Sequence, residues 1–236
     1  MFVSHNELVT LCAKAFESLQ KHCGESDAIA NMVVELEMAG LGGVANFVAA
    51  LQFLDEERKP VSPSIVIDLN HVEADLHGTS LLCHFPALLD VTIEQLISAK
   101  SARLTIHQCS NRHFAFGELV KLSGKGISVR MTWCNDKVPL GVEYIHNAGR
   151  RYPDIYFGDN QDIGVHDVEI ELSLVPFIMD DASLSPDISA EMQAISFQRA
   201  WECGIEVDEA HWLTMKAFAS RGLVENSEQS QRGAGE

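Results

Sequence analysis

The first part of the chain is patterned for helices. Leu8, Leu11, Cys12, Ala15, Phe16 and Leu19 recur at i, i+3, i+4 and i+7 steps, leaving Glu7, Lys14, Glu17 and Gln20 to face water. Ser4 and Glu7 have the spacing of a capping box, and Val3 and Leu8 flank it where a hydrophobic staple would close. Gly24 is the expected left-handed stop. A second helix, capped by Ser26 or Asp27, carries Ile29, Met32, Val33 and Leu36 and ends in Gly40-Leu41-Gly42-Gly43. A third carries Val44, Phe47, Val48, Leu51 and Leu54 until a charged run and Pro60 stop it. Short helices with one apolar stripe each must bury it against one another or against the rest of the chain.

Beyond Pro63 the period changes. Ile65, Val66, Ile67 and Leu69 form a β-branched run of the kind found in a buried strand, whereas residues 71–86 show no clear period and are broken by Gly78 and Pro86. Val91 to Ile97 suit a helix or a strand, with a helix capped at Asp90 or Thr92 preferred. Arg103 to His107 alternate as a strand, Phe114, Leu119 and Leu122 suit a helix ended by Gly124, and Ile127 to Trp133 alternate again. That succession permits a right-handed parallel crossover. Residues 135–164 read as irregular, punctuated by Pro139, Gly141, Gly149, Pro153 and Gly158. Val168, Ile170, Leu172 and Leu174 then alternate with polar residues, as in a strand with one wet face. An acidic loop over 180–186 leads to a helix over about 189–203, and Asp208 caps a last helix that Gly222 ends.

These elements predict an α+β (mixed α/β) fold, with a helical layer from the N- and C-terminal helices beside a small central mixed sheet. The expected organisation is a helical block at 1–59, a mixed region at 60–186, helices at 187–224 that pack on the first block, and a polar tail at 225–236, all within one compact domain.

Composition narrows the partners. The chain has 236 residues, 46% of them hydrophobic, enough for a sizeable core. A formal net charge of −17 argues against nucleic acid or an anionic membrane as partner, since both need basic patches. Six cysteines lack any CxxC pair and Cys12 lies on a buried stripe, which predicts free thiols in a reducing cytoplasm. With no leader pattern and no bilayer-length apolar run, a cytoplasmic protein is expected. No HxxxH pair or Cys-His run has zinc spacing, so no metal site is expected, although His107 and Cys109 can point the same way from one strand.

Few stretches suggest chemistry. Ser123-Gly124-Lys125-Gly126 runs from helix into strand, the reverse of a phosphate loop, and reads as a helix-ending turn. Gly40-Leu41-Gly42-Gly43 reads as an interhelical hinge. His146, Arg150, Arg151 and Tyr152 are the candidate ligand site: two arginines beside Gly149 can clamp a carboxylate or phosphate, or instead balance Asp154 and Asp159 at the surface. In the tail, Glu228, Ser230 and Arg232 can dock on the body or a partner, or trail in solvent.

Two resemblances extend beyond these patterns. Asn6-Glu7-Leu8, Lys14-Ala15-Phe16, Ala28 and Leu36-Glu37-Met38-Ala39-Gly40-Leu41 resemble the opening helical pair of a bacterial family known only as a domain of unknown function. Phe218-Ala219-Ser220-Arg221 and Ser227 to Gly235 resemble its Ser/Thr-Glu-x-Ser-Arg tail and following Gly-Ala-Gly, with Gln231 displacing the arginine to Arg232. That family carries no known activity. Leu36 to Gly43, and Gly204-Ile205-Glu206-Val207-Asp208 with Trp212, are similar to stretches of the malate/L-lactate dehydrogenase-like oxidoreductases. Those enzymes use nicotinamide cofactors without a classical dinucleotide fold, and Ala45-Asn46-Phe47 stands where their catalytic histidine would be. The resemblance implies a related scaffold without that histidine's chemistry.

The leading expectation is therefore a non-catalytic auxiliary component of bacterial metabolism that binds another protein or a further copy of itself and needs no cofactor. The alternative is a small-molecule enzyme with a carboxylate or phosphate pocket, derived from an oxidoreductase. Only this alternative brings in a nicotinamide cofactor.

Overall fold

The computed structural model describes residues 1–21, 24–57, 61–159, 163–178 and 185–222. Strand β1 (Phe2–Val3) leads into α1 (His5–Glu17). The capping box forms as expected: Ser4 Oγ accepts from the Glu7 amide at 3.3 Å, and Ser4 N–H donates to Glu7 Oε2 at 2.8 Å. α1 stops at Ser18, well before Gly24, and Gln20 (φ 51°) is the first residue to turn left-handed. α2 (Ser26–Met38) starts after Glu25 with no side-chain cap, because the Ser26 hydroxyl donates to Glu17 Oε1 at 2.8 Å instead.

The Gly40–Gly43 stretch is a hinge held at close range. α3 (Gly43–Glu56) starts so near α2 that a Cβ on Gly43 would lie 2.2 Å from the Val33 carbonyl oxygen. Glu37 Oε2 accepts from the Val44 amide at 2.7 Å, taking the capping role that Gly42 has no side chain to fill.

Next come β2 (Ser64–Asp68), β3 (His71–Asp75), α4 (Phe85–Ala99) and β4 (Ser101–His107). They are followed by the one-turn helix α5 (Phe116–Leu119), β5 (Ser128–Cys134), β6 (Gly141–His146), β7 (Asp154–Gly158) and β8 (Val168–Ser173). The seven strands lie in the order β2-β3-β4-β8-β5-β6-β7, and only β3 and β4 pair in parallel.

Four expectations change here. The parallel crossover runs β3-α4-β4, and β8 inserts antiparallel between β4 and β5. α4 begins at Phe85, earlier than Asp90 or Thr92, because Pro86 falls in the first turn, where its missing N–H costs nothing. The stretch after residue 135 contains two strands, β6 and β7, whose glycines and prolines mark their ends. β2 is a strand as expected, but every one of its five residues is exposed.

Ser189 caps α6 (Ala190–Cys203), accepting from the Met192 amide at 3.2 Å, and Asp208 caps α7 (Glu209–Arg221), accepting from Ala210 at 2.8 Å. Between them β9 (Ile205–Glu206) pairs antiparallel with β1, and the Met1 amine donates to the Val207 carbonyl at 2.8 Å. α7 packs on α1 and α3, so helices from the two ends of the chain share one layer, as the sequence predicts. Leu8, Phe47 and Met215 from that layer and Leu104, Val129 and Ile170 from the sheet join one continuous core. Among the described residues no helix is long and apolar enough to cross a membrane.

Candidate functional site

Alternation along three neighbouring strands builds the floor of a cavity. Register aligns Met131 with Tyr144 and Tyr144 with Ile155 in one row, and Trp133 with Val142 and Val142 with Phe157 in the next. Residues two apart on a strand share a face, so both rows point to the same side of the sheet. Leu36, Leu41 and Asn46, from the end of α2 to the start of α3, together with His113 and Phe116, close the other side. The space between them, open on one side, is about 370 Å³.

His113 is the chemically distinctive wall residue. It belongs to a 3-10 turn (Arg112–Ala115) that runs into α5. Its Nε2 is buried and has no hydrogen-bond partner. Burial, helped by the neighbouring Arg112 charge, holds its pKa down to about 4, so the ring is neutral near pH 7. Arg112 donates to two neutral oxygens, the Val165 carbonyl and, at 3.3 Å, Asn135 Oδ1. The positive field that disfavours a His113 imidazolium favours negative charge on anything in the cavity. Asn46, standing where the resemblance expects a histidine, lines the cavity and donates from Nδ2 to the Gly42 carbonyl at 2.9 Å.

The residues singled out from sequence sit elsewhere. Arg150 pairs with Asp154 at 2.6 Å, so an incoming anion would have to displace a carboxylate. Arg151 lies over the rings of Tyr152 and Phe197, 5.4 Å from each centroid, and Tyr152 is buried. His146 is fully buried, and its Nε2 lies 2.9 Å from the Arg150 carbonyl, which fixes that nitrogen as the donor. Nδ1 is then the acceptor for the Tyr144 hydroxyl at 3.3 Å, so His146 orients a cavity wall although it is not itself one. Glu228, Ser230 and Arg232 lie outside the described residues.

His107 does not pair with the buried Cys109. Its Nδ1 is 3.0 Å from Asp167 and its Nε2 is 3.2 Å from Glu73. Among the described residues no group of three or more potential ligands can hold a metal ion. Ser64 Oγ, 3.0 Å from His77 Nε2, and Asp75, 3.4 Å from His77 Nδ1, form a relay at the exposed edge of the sheet, where no enclosing wall excludes water.

Comparison with known proteins bears on both ends of this picture. The family described as Protein of unknown function (DUF3726) matches residues 3–80, which include Asn46 but not His113. A search of curated proteins matches none. Among solved structures, malate dehydrogenase from Pyrococcus horikoshii OT3 superposes with a TM-score of 0.71 at 9% identity, covering 95% of this chain and 96% of that one. Sulfolactate dehydrogenase from Methanocaldococcus jannaschii gives 0.64 at 10%, covering 94% and 98%. Delta1-piperideine-2-carboxylate reductase from Pseudomonas syringae pvar. tomato gives 0.63 at 10%, covering 92% and 99%. At such identities the likeness is one of fold. The expectation of a non-catalytic auxiliary protein is nevertheless corrected: the fold is shared, nearly end to end, with dehydrogenases and a reductase, which favours the enzyme alternative.

Proposed function

We propose that the chain is a small-molecule enzyme on a dehydrogenase-type scaffold. In this reading His113 hydrogen-bonds to a carbonyl oxygen of a small organic acid held in the cavity and polarises it. The observation that carries it is the buried, unpartnered Nε2 of His113 in the wall of a 370 Å³ cavity lined largely by apolar and aromatic side chains. An imidazole held neutral in this way suits a hydrogen-bonding role that polarises a carbonyl oxygen, which the Arg112 field makes better able to bear charge. Malate, sulfolactate and piperideine carboxylate, named for the structural neighbours, are all small acids, which supports an acid as the substrate class.

The same names raise a nicotinamide dinucleotide as cofactor. Its pyrophosphate needs donors and positive charge. Among the described residues the cavity walls carry no lysine or arginine, and the cleft beside them, sharing Val142 and Phe157, is lined by Glu143, Asp159 and Asp187. These residues do not fit a pyrophosphate, so no step is assigned to that cofactor.

A thermal-shift panel of small 2-oxo and 2-hydroxy acids, with NADH and NADPH as separate arms, tests this reading. A ligand at 100 times its Kd should stabilise by about 2.7 kcal/mol, or roughly 5–11 °C for a chain of this size. The expected result is a shift with at least one acid that His113→Asn abolishes, and none with either dinucleotide. An acid shift that survives His113→Asn, or no shift at all, would overturn the reading.

A further inference from the structure

The exposure of β2 contradicts its sequence. A β-branched run reads as a strand buried on both faces, yet Ile65 is 48%, Val66 61% and Ile67 52% exposed, and Leu69, just beyond, is 85% exposed. β2 is the outermost strand of the seven and is bonded only to β3. The opposite edge is partly covered, because Ile188 pairs with Ile155 of β7 through two backbone hydrogen bonds of 2.9 and 3.1 Å. Among the described residues β2 lacks most of the usual defences of a free edge, Asp68 being its one charged residue. It contains no lysine, arginine or proline, and its five residue pairs with β3 run without a bulge.

We infer that β2 is completed by β2 of a second copy of this chain, paired antiparallel about a two-fold axis through Val66. Ser64-Ile65-Val66-Ile67-Asp68 is self-complementary about its centre. The two-fold sets Val66 against its counterpart and Ile65 against the partner's Ile67, with Ser64, whose hydroxyl already meets His77 Nε2 at 3.0 Å, and Asp68 at the ends of the junction. The two Asp68 side chains then fall at opposite ends of the junction, roughly 13 Å apart at about 3.3 Å per residue. This matters in a chain of net charge −17, where copies repel unless their like charges are kept apart. A strand of unrelated sequence would cover the same edge but would gain nothing from this palindromic order. The pairing joins two seven-stranded sheets into one and is independent of the cavity chemistry.

The experiment measures mass in solution across a dilution series from near-millimolar to low-micromolar full-length chain. The unsubstituted chain should be a dimer that dissociates on dilution. Val66→Lys sets two ammonium groups against each other at the axis and should raise the dimer Kd at least about tenfold. Because Val66 is exposed in the single chain, the variant should keep its circular dichroism. As a second probe, V66C should form a disulfide between position 66 of two copies under mild oxidation, identified by mass spectrometry. I195C, at a side chain that is 62% exposed on α6, should not. An unsubstituted chain that is monomeric at every concentration, a V66K dimer of unchanged Kd, or equal cross-linking of V66C and I195C would each overturn the inference.

Discussion

Replacing His113 with asparagine should make the protein less sensitive to acid, by an amount that follows from the burial of the ring. In the folded chain the imidazole pKa is held down to about 4, against an ordinary 6.5. Above 6.5 the ring is neutral in both folded and unfolded chains and contributes no pH dependence. Below it, the unfolded chain takes up a proton that the folded chain refuses, so stability falls by about 1.4 kcal/mol per pH unit until the folded pKa is reached. The whole displacement amounts to about 3 kcal/mol, an upper value because the residue as a whole is only half-buried although its Nε2 is inaccessible. Between pH 7 and 5 the wild-type chain should therefore lose about 2 kcal/mol more than His113→Asn. Urea unfolding followed by tryptophan fluorescence at pH 7, 6 and 5 measures this. Subtracting one series from the other removes the carboxylates common to both. Parallel curves would refute the argument, because they would mean that the ring is not held neutral by its surroundings.

Two further substitutions probe how the site is held. Gly117→Ala puts a Cβ 2.4 Å from the Met32 Cα and should cost about 3 kcal/mol, lowering Tm by about 6–12 °C in calorimetry; an unchanged Tm would show that α5 does not lie as close to α2 as described. His107 has its pKa raised chiefly by the hydrogen bond to Asp167, so its stabilisation is fully present below 6.5 and lost as pH rises through the higher folded pKa. His107→Gln should accordingly destabilise at pH 6 and have little effect at pH 9, and equal loss at both would count against the ion pair.

Local signals made the helical layer legible. The Ser4–Glu7 box, the Asp208 cap and the apolar stripes act within a few residues of themselves, and both of these caps form, whereas the one expected at Ser26 or Asp27 does not. β8 was legible for the same reason, since one face is buried and the other is not. β6 and β7 were not, because prolines and glycines at their ends masked a short alternation of Val142 with Tyr144 and of Ile155 with Phe157. The cavity was less legible still. His113 stands among ten histidines, and only the approach of α2, α3 and three strands buries its Nε2 and keeps the ring neutral. The faint signal was the alternation of Met131, Trp133, Val142 and Tyr144 toward one face. The arginine pair drew attention because charge is conspicuous in sequence, whereas the Arg150–Asp154 bridge that neutralises half of it depends on side-chain geometry.

The segment that delivers His113 is tied at both ends, and the ties differ in kind. Upstream, β4 ends at His107 and the chain turns through Gln108 (φ 48°) and Asn111 (φ 60°). Asp167 holds that turn, accepting from the Gln108 amide at 3.0 Å while its other oxygen meets His107. Ser80 holds it again, donating to Asn111 Oδ1 at 2.8 Å. Downstream, α5 is fixed by the close approach of Gly117 to Met32, a contact with no charge in it. Only the upstream tie responds to pH. As His107 loses its proton the Asp167 clamp weakens, whereas His113, with its pKa near 4, stays neutral throughout that range. A change in ligand affinity with a midpoint above 6.5 therefore reports the turn that positions His113, and one near 4 reports the His113 ring itself.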